Sequence, residues 1–212
     1  MTSADDHRAN LSLQDALLIA SPDPELRAFI EDKDRPGLTT KSEIFSMKIN
    51  TLQDALVHEM RDLYSAEVQL TKALPRMAKA ASHEELAAAF EEHLEQTKGH
   101  VERLEKAFKR LDVSTRGEKC KAMEGLIEEG KSTLELDAED MVRDALLISI
   151  AQKVEHYEIA GYGTARTFAE RLGENNIASL LEQTLEEETE TDRKLTKIAE
   201  TAVNPDAEAQ DA

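Results

Sequence analysis

The sequence contains few of the residues that most non-helical folds require. It has no Trp, only 8 Gly and 5 Pro in 212 residues, and 4% aromatic residues, whereas all-β domains depend on aromatic runs and turn glycines. A single cysteine, Cys120, excludes an internal disulfide and is typical of a reducing compartment. The chain has no apolar run of the ~18 residues that a membrane span needs, and acidic residues stand where a secretory signal would be basic. We therefore expect a cytoplasmic protein without a membrane partner.

Positive charge is also scarce. The chain has 26 Lys and Arg against 44 Asp and Glu, which gives a formal net charge of −18. This charge repels phosphate backbones, so we expect no nucleic-acid partner, and it attracts cations. Ala, Leu, Glu, Gln, Lys and Arg dominate instead, and these residues are good helix formers.

Three regions differ in composition. Residues 1–47 contain Pro22, Pro24 and Pro36 between short apolar clusters, and predict a flexible or docking extension rather than a separate functional module. Residues 48–203 have strong helical periodicity and predict one domain. Residues 204–212 predict a disordered acidic tail.

Two long helices are predicted in the first half of the domain. The first begins with Asn50 or Thr51 as N-cap and is kinked or ended by Pro75. The second begins with Ser82 as N-cap, with Glu85 completing a capping box. Apolar residues three, four or seven positions apart mark their buried faces; they include Leu52, Leu56, Leu63, Leu70, Leu74, Leu86, Phe90, Leu104 and Phe108.

The second half repeats this arrangement after a short connecting helix within residues 120–136. A third long helix is predicted from an Asp137 cap to Leu172, with Gly173 as its stop. Its apolar positions include Val142, Ala145, Leu146, Ser149, Ile159 and Tyr162. A fourth helix runs from about Glu174 to Ala202. Two helical hairpins joined by a longer connection predict an all-α, ferritin-like four-helix bundle, with the short connecting helix between helices two and three.

Charged and imidazole side chains interrupt the apolar stripes at the middle of all four helices. The residues concerned are Glu67, His93, His100, Glu155, Glu158 and Glu188, with Thr97 and His156 near them. A buried carboxylate is costly unless it is paired, protonated or bound to a cation, and several together repel one another. Oxygen and imidazole ligands suit iron or manganese. We therefore predict a metal site, while a hydrogen-bonded core histidine and a solvated acidic face remain open as ordinary explanations for single residues.

Five runs of sequence carry a resemblance to a known family. They are DLYSAEVQLTKALPRMAKAA, HLEQTKGHVERLEKAF, CKAMEGLIEEG, AQKVEHYEIAGYGT and LEQTLEEETETDRKLTKIA, and they occur in order between about residues 49 and 202. The chain resembles the YciF/YciE family of bacterial stress proteins. The resemblance implies a ferritin-like bundle of the di-iron type, related to rubrerythrins, that is generally dimeric.

The resemblance also implies which residues form the site. The family motifs fall on Glu67, on His93 and Thr97, on Glu155, His156 and Glu158, and on Glu188. One feature departs from better-known di-iron proteins, because no His in this chain has a Glu three positions before it. This departure leaves the ligand set and any oxidase chemistry open.

Two functions remain open at this point. The first is a metal-binding stress protein with a dinuclear iron or manganese site that acts on peroxide or oxygen, with Tyr64 or Tyr157 supplying an electron or a hydrogen bond. The second is a non-enzymatic dimeric helical protein whose buried polar layer is structural. A homodimer is expected in both.

Overall fold

The computed structural model describes residues 49–209. The predicted extension over residues 1–47 and the last tail residues, 210–212, lie outside the described part. The long helices are α1 (Leu52–Ala80), α2 (Glu84–Arg110), α4 (Asp140–Arg171) and α5 (Asn175–Ile198), and a shorter helix, α3 (Lys121–Leu134), stands between the two pairs. A π-helical turn, Ala199–Val203, follows α5 and leads into α6 (Asn204–Ala209).

The four long helices form a ferritin-like bundle, which confirms the predicted all-α fold. The hairpins are α1–α2 and α4–α5, and α1 packs on α4 while α2 packs on α5. The helix pairs α1–α4 and α2–α5 are both antiparallel. Gly161 of α4 lies against Leu63 of α1, whereas Asp144, near the start of α4, contacts Ser82 after the end of α1. The connection through α3, which packs on α1 and α4, allows this single crossover.

The start of α1 is as predicted, and the start of α2 is not. Thr51 and Asp54 form a reciprocal capping box at α1, and this helix continues through Pro75 to Ala80. Ser82 is not the N-cap of α2, because His83 holds that position. The carboxylate of Asp144 on α4 accepts the backbone N–H groups of Ser82 and His83 at 2.7–3.1 Å. The local cap is the His83 side chain, whose Nδ1 accepts the backbone N–H of Glu85, and Asp144 holds the two residues that lead into the helix.

The prediction for α4 was wrong at its beginning and on part of its face. The helix starts at Asp140 after an N-cap Glu139, not at an Asp137 cap. In its first half the predicted stripe residues Val142, Leu146 and Ser149 are exposed. The buried residues there include Asp144, Leu147, Ile148, Ile150, Ala151 and Val154. Because α1, α3 and α5 all pack on α4, apolar residues surround the helix and periodicity does not single out one face.

The ends of α4 and α5 differ in how well they follow the prediction. Gly173 adopts a left-handed φ of 77° directly after α4, which confirms the predicted stop. The predicted fourth helix, from about Glu174 to Ala202, ends as an α-helix at Ile198, and the π-helical turn continues the helical chain into α6.

Two apolar clusters divide the interior of the bundle. One contains Leu70, Leu74, Phe90, Met123, Leu147 and Leu195, and the other contains Leu56, Met60, Leu104, Phe108, Ala165 and Leu181. Within residues 49–209 no helix has the length and apolar character needed to cross a membrane. The buried polar side chains that separate these clusters form the candidate site.

Candidate metal centre

The structure brings together all six side chains that the sequence singled out. Each is at most 3% exposed, and they project from the four long helices: Glu67 from α1, His93 and His100 from α2, Glu155 and Glu158 from α4, and Glu188 from α5. Such burial excludes the solvated-face explanation for these residues.

The six residues form two groups that share one member. His93, Glu155, Glu158 and Glu188 make the first group, and Glu67, His100 and Glu188 make the second. Within each group, one ligand atom from every residue lies within 4.8 Å of the others. Glu188 belongs to both groups, so its carboxylate stands between two potential cation positions.

Most of the polar atoms in this cluster lack a hydrogen bond from the described residues. His100 Nδ1 lies 3.0 Å from Glu188 Oε1 and 3.3 Å from Glu67 Oε1, and His93 Nε2 lies 3.2 Å from Glu155 Oε1. None of these approaches has the angles of a hydrogen bond, so they are close charge contacts. Both oxygens of Glu158 and of Glu188 also have no hydrogen-bond partner within residues 49–209. Unsatisfied buried ligand atoms in this number are what a cation would relieve.

The two imidazoles carry strongly perturbed pKa values. Burial by itself lowers the pKa of His100, but the charges of Glu188 and Glu67 outweigh it and raise the pKa to about 11. Burial opposes protonation of His93 as well, and Glu155, followed by Glu188, raises its pKa to about 9. Without a cation, both imidazoles are therefore protonated on both ring nitrogens at neutral pH, and these positively charged rings form ion pairs with the carboxylates.

Two carboxylates are shifted towards the protonated form. Burial, reinforced by the charges of Glu67, Glu188 and Glu155, raises the pKa of Glu158 well above its ordinary range. Burial also raises the pKa of Glu188 to about 7, although His100 and His93 oppose this shift. The cluster thus holds more negative charge than its own two imidazoles can balance.

Further polar residues surround the cluster. The hydroxyl of Tyr162 donates a hydrogen bond to Glu67 Oε1, and the ring of Tyr162 is fully buried. On the other side, Glu187 lies 2.9 Å from His100 Nε2. Partial burial raises the pKa of Glu187, but hydrogen bonds from Arg103 and His100 outweigh it and hold the pKa below its usual range.

Three residues considered from the sequence lie outside the cluster. His156 is 70% exposed and faces Asp192, because it follows Glu155 by one position and therefore projects from another side of α4. The hydroxyl of Tyr64 donates to Glu105 on the surface. Thr97 is buried near the cluster, and its hydroxyl donates to the carbonyl of His93.

Tyr157 joins a separate polar cluster beside the centre. Its hydroxyl donates to Asp62, and Cys120 Sγ lies 3.1 Å from the same hydroxyl and 3.2 Å from Asp62 Oδ2. Burial raises the pKa of the Cys120 thiol, and Asp62 adds to this shift while Tyr157 opposes it. Sequence reasoning missed this cluster, and it also missed Tyr162 and Glu187 as neighbours of the centre. The only signal for Tyr162 was a hydroxyl within an apolar stripe.

The residues fit a dinuclear centre in number and in kind. Ferritin-like di-iron sites use four carboxylates and two imidazoles, with a Glu-x-x-His pair on each of two helices. Here the same six side chains are distributed differently. Helix α4 supplies two carboxylates three positions apart, Glu155 and Glu158, and α2 supplies two imidazoles seven positions apart, His93 and His100. The missing Glu-x-x-His pair therefore does not reduce the number of buried carboxylates and imidazoles.

Comparison with known proteins agrees with the fold and with the resemblance in the sequence. Residues 51–208 match the family described as a domain of unknown function, DUF892. The chain belongs to this family. It is also 50% identical over 163 residues to protein YciF of Escherichia coli strain K12, a match that covers 76% of this chain and 98% of YciF.

Several solved structures have the same fold as this chain. The crystal structure of the E. coli stress protein YciF matches with a TM-score of 0.71 at 50% identity and covers 74% of this chain and 99% of YciF. YcfI from Rhodopseudomonas palustris, for which a structural role has been suggested, matches with a TM-score of 0.70 at 43% identity and covers 73% and 99% of the two chains. A Xanthomonas campestris protein at 21% identity shares the fold, with a TM-score of 0.61, over 76% of this chain and 100% of its own.

Proposed function

We propose that this protein is a ferritin-like, rubrerythrin-related metal-binding protein of the bacterial stress response, with a dinuclear iron or manganese centre in the bundle core. Glu67, His100 and Glu188 would hold one cation, and His93, Glu155, Glu158 and Glu188 would hold the other. The relative described as a stress protein supports the physiological part of the proposal. A cytoplasmic location and a homodimer remain predictions from the sequence.

The balance of charge in the cluster is the observation that carries this proposal. If all four carboxylates were ionised they would contribute −4, and two protonated imidazoles would offset only half of that charge. Without a cation, protons on Glu158 and Glu188 must remove the remainder, because burial and neighbouring carboxylates raise the pKa of both groups. Two divalent cations would neutralise all four carboxylates and leave the imidazoles neutral, which is the form that binds metal. The unpartnered oxygens of Glu158 and Glu188 would then gain partners.

Bound iron or manganese would supply redox chemistry towards oxygen or peroxide. The protein's own contribution is to hold the ligands and to exclude bulk water, since both apolar clusters enclose the polar layer. The hydroxyl of Tyr162 donates to Glu67 Oε1 and helps to hold this carboxylate in place, while Glu67 Oε2 has no hydrogen-bond partner among residues 49–209.

A specific observation favours the second candidate, a structural polar layer. With both imidazoles protonated, His100 contacts Glu188 and Glu67, and His93 contacts Glu155, so the cluster contains ion pairs without any metal. Buried polar networks of this kind set the register of helices in some proteins. Under this alternative, a protonated Glu158 completes the network and the protein has no need of a cation.

Metal analysis of purified protein and one variant separates the two candidates. The metal-binding function predicts about two iron or manganese ions per chain, and Glu67→Ala should remove the ion beside His100 and so leave at most about one per chain. Glu91→Ala is the control, because Glu91 is an exposed residue of α2. Wild-type protein without metal after incubation with Fe²⁺ or Mn²⁺, together with a Glu67→Ala variant that loses only stability, would support the structural alternative.

A further inference from the structure

The ring of His100 is oriented by a carboxylate outside the metal centre. His100 Nε2 lies 2.9 Å from Glu187 Oε2. An ionised carboxylate can only accept a hydrogen bond, so Nε2 must carry its hydrogen. The other nitrogen, Nδ1, then faces Glu188 Oε1 at 3.0 Å and Glu67 Oε1 at 3.3 Å. His100 therefore presents Nδ1 to the proposed centre.

His93 presents the opposite nitrogen. Its Nε2 faces Glu155 Oε1 at 3.2 Å, while its Nδ1 lies 3.4 Å from both Gln96 Oε1 and Thr191 Oγ1. These outer partners are neutral and more distant than the carboxylate that faces His100. The two imidazoles thus differ both in the nitrogen they offer and in the charge behind them.

Glu187 is itself held in place by an arginine. The guanidinium of Arg103 contacts both carboxylate oxygens of Glu187 at 2.7–2.9 Å and also donates to the hydroxyl of Thr184 at 3.0 Å. A two-pronged contact of this kind fixes the plane of the carboxylate as well as its distance. The ordered chain is therefore Arg103, Glu187, His100 and then the centre.

We propose that Glu187 is a positioning residue that makes His100 an Nδ1 ligand, and that the position beside His100 is the tighter of two unequal cation positions. This inference rests on the proposed metal-binding function. The physical reason is that a carboxylate behind a ligating imidazole fixes its tautomer and raises its basicity. The outer nitrogen of His93 contacts only the amide of Gln96 and the hydroxyl of Thr191, which are neutral and raise the basicity of the ring less.

The orientation of the two rings can be read directly in wild-type protein. Protein labelled with ¹⁵N-histidine and loaded with Zn²⁺ as a diamagnetic probe would be recorded by long-range ¹H–¹⁵N correlation. We expect His100 to keep its hydrogen on Nε2 with Nδ1 ligated, and His93 to show the reverse. Ligation of both rings through the same nitrogen would overturn the inference.

A variant tests the unequal affinities. Glu187→Gln should lower the affinity for the tighter Zn²⁺ ion by about 10–100-fold in a competition titration with a chelating dye. Glu186→Gln, with the same charge change at an exposed neighbouring position, should alter neither affinity by more than about twofold. Equal affinities for the two variants would overturn the inference while leaving the proposed function intact, whereas wild-type protein that binds no Zn²⁺ would contradict both. If Glu187→Gln fails to fold, the ¹H–¹⁵N correlation of the two histidines in wild-type protein tests the inference by itself.

Discussion

Replacing Glu158 by Gln should affect the metal-free and metal-loaded protein in opposite directions. The side chain is fully buried, both of its oxygens lack hydrogen-bond partners among the described residues, and burial together with three nearby carboxylates raises its pKa well above its ordinary range. Without a cation, folding at pH 7 therefore requires this carboxyl to take up a proton. A glutamine of the same shape needs no proton, and its amide can donate to the surrounding carboxylates.

The size of this effect follows from proton linkage. Because the pKa is raised in the folded state, the folded protein binds more protons than the unfolded chain, and its stability falls as pH rises above the unfolded pKa of 4.5. Between pH 4.5 and 7 the cost of protonating Glu158 can grow by at most about 1.4 kcal/mol per pH unit, which sets an upper bound of about 3 kcal/mol at pH 7. Metal-free Glu158→Gln should be more stable than wild type by up to this amount, which corresponds to ~6–12 °C in Tm for a chain of this size.

Thermal unfolding with a chelator and with saturating Mn²⁺, at pH 5 and pH 7, measures the effect of Glu158→Gln on the metal-free and on the metal-loaded protein. The increase in Tm of the variant over wild type should be largest at pH 7 without metal and should shrink towards pH 5. Added Mn²⁺ should stabilise wild type more than the variant, because the amide supplies no anionic ligand. Glu174→Gln, at an exposed position before α5, should behave as wild type. A metal-free variant less stable than wild type at both pH values would refute the reasoning.

Other predictions concern the frame around the centre. Asp144→Asn should cost about 1–3 kcal/mol in urea unfolding because the backbone N–H groups of Ser82 and His83, just before α2, lose a charged acceptor. Asp137→Asn at an exposed site should have little effect, and equal effects of the two variants would contradict this role of Asp144. Gly161→Ala should destabilise the fold by about 1–3 kcal/mol, because a Cβ there would lie 2.7 Å from Leu63 Cδ2. At Gly163 a Cβ would meet no atom of the described residues within 4 Å, so Gly163→Ala should stabilise the helix by up to about 1 kcal/mol. A stabilised Gly161→Ala variant would show that Leu63 moves aside.

Much of the fold could be predicted because most of the helices have a single apolar face. The stripes through Leu63 and Phe90 identify helices whose cores are buried as expected. The approach failed where tertiary contacts replace local signals. Asp144 binds the backbone N–H of Ser82 from 62 positions away and His83 is the N-cap of α2, so Ser82 was a misleading local signal. In α4 the apolar residues lie on several sides of the helix, and Val142, which the pattern placed on the buried face, is exposed.

The candidate site was predictable for a related reason. A carboxylate or imidazole that lies within the apolar stripe of a helix is buried when that face of the helix packs in the core. That argument located Glu67 and Glu188, and it gave no information on which atoms meet. The shared position of Glu188 depends on the distances between helices, which sequence spacing does not contain. Glu187 looked like a surface acid, and only the structure shows its contact with His100.

The most direct measurement is anomalous scattering at the metal edge from crystals of the protein loaded with Fe²⁺ or Mn²⁺. We expect two peaks within the buried layer, one beside Glu67 and His100 and the other beside His93, Glu155 and Glu158, with Glu188 between them. Crystals grown at saturating metal that show no peak among these six side chains would contradict the account, because the buried carboxylates would then be balanced by protons and imidazoles alone.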